Sequence, residues 1–91
     1  MRTINTKIFG STFIGGQKYF PLLNQGDKLE FEYDNNPHHK KSILLTIRGN
    51  KLGYIKRNLA DEIFGKVTEV KVKEVKEKDG LYGVNLEVKI D

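Results

Sequence analysis

Residues 67–90, VTEVKVKEVKEKDGLYGVNLEVKI, carry the two longest strand patterns of the chain. In the second half, apolar and polar residues alternate, which predicts a half-buried strand. The apolar positions there are Val84, Leu86, Val88 and Ile90. Asp79-Gly80, between the halves, is a strong signal for a tight hairpin turn. In the first half the alternation shifts by one residue between Val67 and Val70, which predicts a β-bulge.

Short strand and helix patterns precede this hairpin. Strands are predicted over residues 3–9, 28–33, 43–47 and 51–55, with Arg48-Gly49-Asn50 as the loop between the last two. One or two helical turns are predicted over 17–23, where Pro21 is tolerated only near the start of the helix. A second short helix over 57–64 has Asn58 as its expected N-cap and Gly65 as its end.

These elements predict a single, mainly β domain spanning residues 1–91, with about six strands and two short helices. Strands that are apolar on one face must curl to bury it, and closure into a small barrel removes the exposed edges. Side chains fill a barrel of this size, so its function is expected on the outer face and in the loops.

Several classes of protein are disfavoured by what the sequence lacks. The chain has no cysteine, which excludes disulfides and thiolate metal sites. It has none of the motifs of hydrolases, zinc proteases or nucleotide-binding enzymes, so we predict no catalytic residues and no cofactor. His38 and His39 are adjacent, and neighbours in an extended segment point apart, so no metal site is predicted. Without a signal peptide or membrane segment, a cytoplasmic location is expected.

The positive charge is concentrated in the middle of the chain. The net charge is +4, and the sequence pI is about 9.3. Residues 35–60 contain no acidic residue and six basic ones: Lys40, Lys41, Arg48, Lys51, Lys56 and Arg57. This segregation favours an anionic partner such as a nucleic acid.

Three groups of residues are candidates for binding, each with a structural alternative. Tyr54 offers a ring for stacking, and Lys56 and Arg57 offer donors to phosphate. Alternatively, Tyr54 covers the mouth of the barrel and the two basic residues lie at the start of a helix. Phe13, flanked by glycines, is either a core residue or an exposed platform. His38 and His39, beside Lys40 and Lys41, are either surface loop residues or contacts to bases and phosphates.

Several blocks of the chain together resemble the HIRAN domain family. The blocks are Gly10-x-x-Phe13, Gly26-Asp27-x-Leu29, Asp34-Asn35-Asn36-Pro37-His38, Gly49-Asn50-Lys51-Leu52-Gly53-Tyr54-Ile55 and Leu59-Ala60. The match covers residues of about 3–65. The resemblance implies a modified OB-like or SH3-like barrel that binds single-stranded DNA, including 3′ ends, in DNA repair or replication-fork processing. A DNA translocase or repair protein is then an expected partner.

The resemblance also implies roles for individual residues. Phe13, His38 and Tyr54 match the aromatic positions that stack on bases, with Lys56 close by, and Asn35 and Asn36 match positions that shape the pocket. The chain departs from the family at three positions. His39 and Lys41 stand where the family has Asp and Asn, and Thr12 stands where an Arg contacts phosphate. We therefore predict binding that is weaker or less selective for 3′ ends.

Two alternatives to nucleic-acid binding remain. The first is a protein-interaction module that uses an open strand edge or the Lys/Glu-patterned hairpin. The second is a regulatory accessory that has lost DNA binding through the changes at His39 and Lys41.

Overall fold

The protein is a closed barrel of six antiparallel strands with two short helices, as the sequence predicts. The computed structural model describes residues 2–10, 15–34 and 41–91. The strands follow one another around the barrel in the order β1-β4-β3-β2-β5-β6. Their bounds are β1 Arg2–Phe9, β2 Lys28–Asp34, β3 Ser42–Ile47, β4 Asn50–Ile55, β5 Val67–Lys78 and β6 Leu81–Ile90. A 3-10 helix covers Gly16–Leu22, and α1 covers Arg57–Ile63. Neither described helix is long and apolar enough to cross a membrane.

The interior of the barrel is filled by aliphatic side chains from all six strands. The alternation predicted for β6 is confirmed, since Val84, Leu86, Val88 and Ile90 are all buried. Phe20 from the 3-10 helix and Ile63 from α1 belong to the same core cluster. Both helices therefore close the barrel by adding to its core.

Tight turns and bulges set the registers of the two hairpins. Asp79 and Gly80 have φ of 53° and 81°, and Arg48 and Gly49 have 51° and 81°, as two-residue hairpin loops require. Asn50 therefore belongs to β4 and not to the loop. In β5 the predicted shift is confirmed between Val67 and Glu69. A second shift lies between Val72 and Glu74.

Two details of the helix predictions are wrong. Asn58 lies inside α1, whose N-cap is Lys56, and no side-chain cap hydrogen bond forms. The helix begins earlier because the Lys56 carbonyl already accepts a hydrogen bond from the Ala60 N–H at 2.8 Å. Pro21 lies near the end of the 3-10 helix and not near its start, where its exposed ring meets no core packing.

The 3-10 helix is fixed to the barrel at its first two residues. A Cβ built on Gly16 would lie 1.8 Å from the backbone oxygen of Leu52, so only glycine fits between the helix and β4. The Gln17 amide then pairs with β6. Its Nε2 donates to the Tyr82 carbonyl at 2.9 Å, and its Oε1 accepts from the Tyr82 N–H at 2.8 Å. The side chain of Gln17 thus covers the edge of β6 as a neighbouring strand would.

Candidate nucleic-acid interface

An aromatic row crosses the outer face of the barrel on β1, β4 and β3. Phe9 lies opposite Tyr54, and Tyr54 lies opposite Leu44. The neighbouring Ile8–Ile55 pair faces the core, and side chains alternate along a strand, so the row faces outward. Phe9 is 44% exposed, Tyr54 is half-buried and Leu44 is only 6% exposed. The row therefore runs from a buried end at Leu44 to an open end at Phe9.

The ring of Tyr54 lies close to the backbone of Gly10. A Cβ built on Gly10 would lie 3.4 Å from Cδ2 of Tyr54, and Gly10 has a φ of 75°. The glycine thus permits the left-handed backbone, which places this turn of the chain against the ring. A ring supported on one side loses less freedom when a flat ligand stacks on it.

Cationic side chains border the aromatic row along one side. Lys7 and Lys56 are the residues next to the Ile8–Ile55 pair, and both are exposed. Arg57 is the first residue of α1 and is exposed as well. Lys41 directly precedes β3, at the end of the sheet where β4 finishes. We call the set Lys7, Phe9, Tyr54, Lys56 and Arg57 the aromatic–basic patch.

The opposite side of the barrel pairs its charges internally. Glu69 on β5 lies 3.1 Å from Lys89, 3.2 Å from Lys28 and 3.9 Å from Lys71. Across residues 2–10, 15–34 and 41–91, every ion pair lies on β2, β5 or β6. The cations of the aromatic–basic patch take part in none of these pairs, so their charge is directed to solvent.

Acidic residues limit the patch toward β2. Glu32 is the residue opposite Leu44, and Asp34 is the residue opposite Ser42. The positive potential therefore falls off across β3, and the patch is centred on the β1–β4 pair.

Glu69 makes the stability of the folded barrel depend on pH. Hydrogen bonds from Lys89 and then Lys28 lower the pKa of the Glu69 carboxyl below its ordinary value of 4.5, against the opposing effect of burial. A lowered folded-state pKa contributes stability that is present above pH 4.5 and is lost as the pH falls through the folded-state pKa. We expect Glu69→Gln to lower the urea midpoint more at pH 7 than at pH 3.

The control for this prediction is Glu62→Gln on α1, since Glu62 belongs to no ion pair among the described residues. Urea unfolding followed by circular dichroism at both pH values gives the comparison. An equal effect of Glu69→Gln at pH 7 and pH 3 would show that the ion pairs of Glu69 do not stabilise the fold.

The structure brings together three of the residues predicted from sequence. Tyr54, Lys56 and Arg57 lie on the aromatic–basic patch, and Lys41 lies at the same end of the sheet. The other predicted residues lie outside the described part of the chain: Thr12, Phe13, Asn35, Asn36, His38, His39 and Lys40. Their roles stay predictions.

The sequence reasoning missed Phe9 and Lys7. Both alternate with core-facing positions of β1, because Ile4 packs on the core and Ile8 is buried in it. That alternation is visible in the sequence and predicts an outward Phe9. Its place beside Tyr54 depends on the β1–β4 register, which the sequence does not reveal.

The described residues contain no group of three His, Asp or Glu side chains that could hold a metal ion. Comparison with protein-family models, curated proteins and solved structures finds no match to this chain.

Proposed function

We propose that this protein binds single-stranded nucleic acid, with DNA as the preferred polymer, on the aromatic–basic patch. The observation that carries the proposal is the cross-strand row of Phe9 and Tyr54 bordered by Lys7 and Lys56. Proteins that hold single strands combine aromatic rings, on which bases stack, with cations that follow the phosphates.

The two kinds of residue contribute in different ways. Residues directly opposite on antiparallel strands have Cβ atoms roughly 5 Å apart, so Phe9 and Tyr54 form one continuous apolar surface. A base that stacks there brings its phosphate toward Lys7, Lys56 and Arg57. Stacking supplies affinity with little dependence on base identity, and the cations supply a term that weakens with salt.

The family resemblance supports the choice of DNA and adds finer expectations. On that basis we propose a role for the HIRAN-like domain in DNA repair or replication-fork processing, inside the cell, beside a translocase or repair protein. The protein acts by binding and not by catalysis. Since His39 and Lys41 replace an acceptor and an amide, we propose that a free 3′ hydroxyl is not required.

The salt dependence of binding tests the contribution of the cations. We expect Lys56→Ala to flatten the slope of log K against log salt by roughly 0.7, the value for one phosphate contact to a single strand. Fluorescence anisotropy with a labelled single strand, titrated at several salt concentrations, measures the slope. The same titration is repeated with DNA strands that carry a free or a blocked 3′ hydroxyl, with an RNA strand and with a duplex.

Lys78→Ala is the matched control, because Lys78 is an exposed lysine at the far end of β5. It should leave the slope unchanged. If Lys78→Ala flattens the slope as much as Lys56→Ala does, the cations act through the net charge of the protein alone. If the wild-type protein binds no strand even at low salt, the proposal is wrong and a protein partner becomes the better reading.

A further inference from the structure

The β5–β6 hairpin extends beyond its neighbours in the barrel. Pairing of β6 with β1 ends at Lys7–Asn85, and pairing of β5 with β2 ends at Lys28–Lys71. Backbone hydrogen bonds between Val72 and the turn before β2 extend the second contact slightly. Within the described residues, β6 is the only strand that pairs with β5 over 74–78. The hairpin therefore has two outer edges, one on each strand, that pair with no further strand among the described residues.

One of these edges is covered and the other is open. The N–H and C=O of Tyr82 point away from β5, because both bind the side chain of Gln17. Tyr82 lies opposite Glu77, so the backbone groups of Glu77 point away from β6 in the same way. The pattern repeats every two residues, and the register is continuous to Val75. Val75 and Glu77 thus present donors and acceptors along the open edge.

The charges on this edge are complementary to themselves. Residues 73–77 are Lys-Glu-Val-Lys-Glu. When this segment is placed antiparallel to itself about Val75, every lysine stands opposite a glutamate. Glu74 and Lys76 share the outer face, since they pair with Asn85 and Gly83 on β6. Lysines alone on an edge repel a second strand, whereas this order of signs attracts its own copy.

We propose that two copies of this chain pair antiparallel through the open edge of β5, with the two-fold axis at Val75. The Val75 backbone groups of the copies bind each other, because they point outward from both hairpins. Glu74 of each copy then lies opposite Lys76 of the other, at a pair where side chains are closest. A two-fold axis requires such a self-complementary surface.

The dimer is weak and depends on salt. The paired segment is about five residues per copy. The surface area that it buries is far below the roughly 1,000 Å² of a stable interface. We expect a dissociation constant on the order of 0.1–1 mM. Glu74 and Lys76 of one copy already lie 3.8 Å apart with side chains 53% and 66% exposed, so added salt weakens the new pairs as well.

Charge reversal tests the pairing without removing the fold. Glu74→Lys puts lysine opposite lysine twice, and Lys76→Glu puts glutamate opposite glutamate twice. We expect each single variant to weaken the dimer by about tenfold or more. An equimolar mixture of the two variants should associate, because each then meets its opposite. The double variant Glu74→Lys/Lys76→Glu should recover the wild-type affinity.

Sedimentation equilibrium at low salt, up to about 1 mM protein, measures the mass against the 10.5 kDa of one chain. Circular dichroism confirms that each variant is folded. A monomer at every concentration would overturn the proposal. Association of either single variant as strong as the wild type, or no association of the mixture, would overturn it too.

This inference stands apart from the proposed binding of nucleic acid. The β5 edge shares no residue with the aromatic–basic patch, so Glu74→Lys should weaken the dimer while binding of a short strand by one copy persists. A longer single strand that reaches the patches of both copies would bind the dimer more tightly than one copy. The second patch then binds a strand that is already held nearby, at a high effective concentration.

Discussion

Replacing Gly16 by alanine is expected to lower the free energy of unfolding by about 3 kcal/mol or more. The new Cβ would lie 1.8 Å from the Leu52 carbonyl oxygen, which is backbone of a central strand and cannot rotate away. The 3-10 helix must then move off β4, which also strains both hydrogen bonds between Gln17 and Tyr82. Thermal unfolding followed by circular dichroism should show the melting temperature lower by roughly 10 °C or more.

Gly83→Ala is the control for this change. A Cβ at Gly83 meets nothing within 4 Å, and the residue lies in a strand, so alanine should be neutral or slightly stabilising. If Gly16→Ala unfolds at the wild-type temperature, the helix does not depend on close contact with β4.

Replacing Tyr54 by alanine is expected to weaken binding of a single strand by about 5- to 150-fold, the effect of losing one stacked base. The loss should persist at every salt concentration, because stacking releases no counterions. This behaviour separates Tyr54 from Lys56, whose replacement changes the slope. Phe9→Ala should weaken binding in the same way, since Phe9 lies opposite Tyr54.

Leu81→Ala provides a matched control, because Leu81 is a large apolar side chain that is 59% exposed at the far hairpin. Tyr54→Phe keeps the ring and should retain most of the affinity. Unchanged affinity in Tyr54→Ala, with an unchanged melting temperature, would show that the ring only covers the barrel.

The strands and turns of this protein could be predicted because their signals are local. Alternation from Val84 to Ile90 and the Asp79-Gly80 turn depend on neighbours in the sequence. The second bulge also has a signal, since Val72 and Val75 are three residues apart, although it was not predicted. The N-cap at Asn58 was wrong because the carbonyl of Lys56 starts the helix two residues earlier. The preference of Asn for the N-cap position does not fix a helix start to within one or two residues.

The candidate site could be predicted only in part, since it depends on registers between distant strands. Tyr54, Lys56 and Arg57 are close in sequence and were identified together. Phe9 joins them only through the pairing of β1 with β4. Charge segregation in the sequence indicated a basic surface, but the sequence did not indicate that Glu69 and the other ion pairs of the described residues lie on β2, β5 and β6.

The pairing of Arg2 with Ile90 joins β1 to β6, so one strand of the aromatic–basic patch is held by a partner that is distant in the sequence. β1 has two registered pairs with β4 and six with β6, so most of its partners lie on a strand that is far from it in the sequence. Closing a loop of almost the whole chain costs more entropy than forming either hairpin, which makes this seam slow. Most of the backbone partners of β1 lie on β6, so the place of Phe9 beside Tyr54 depends on this seam as well as on β4.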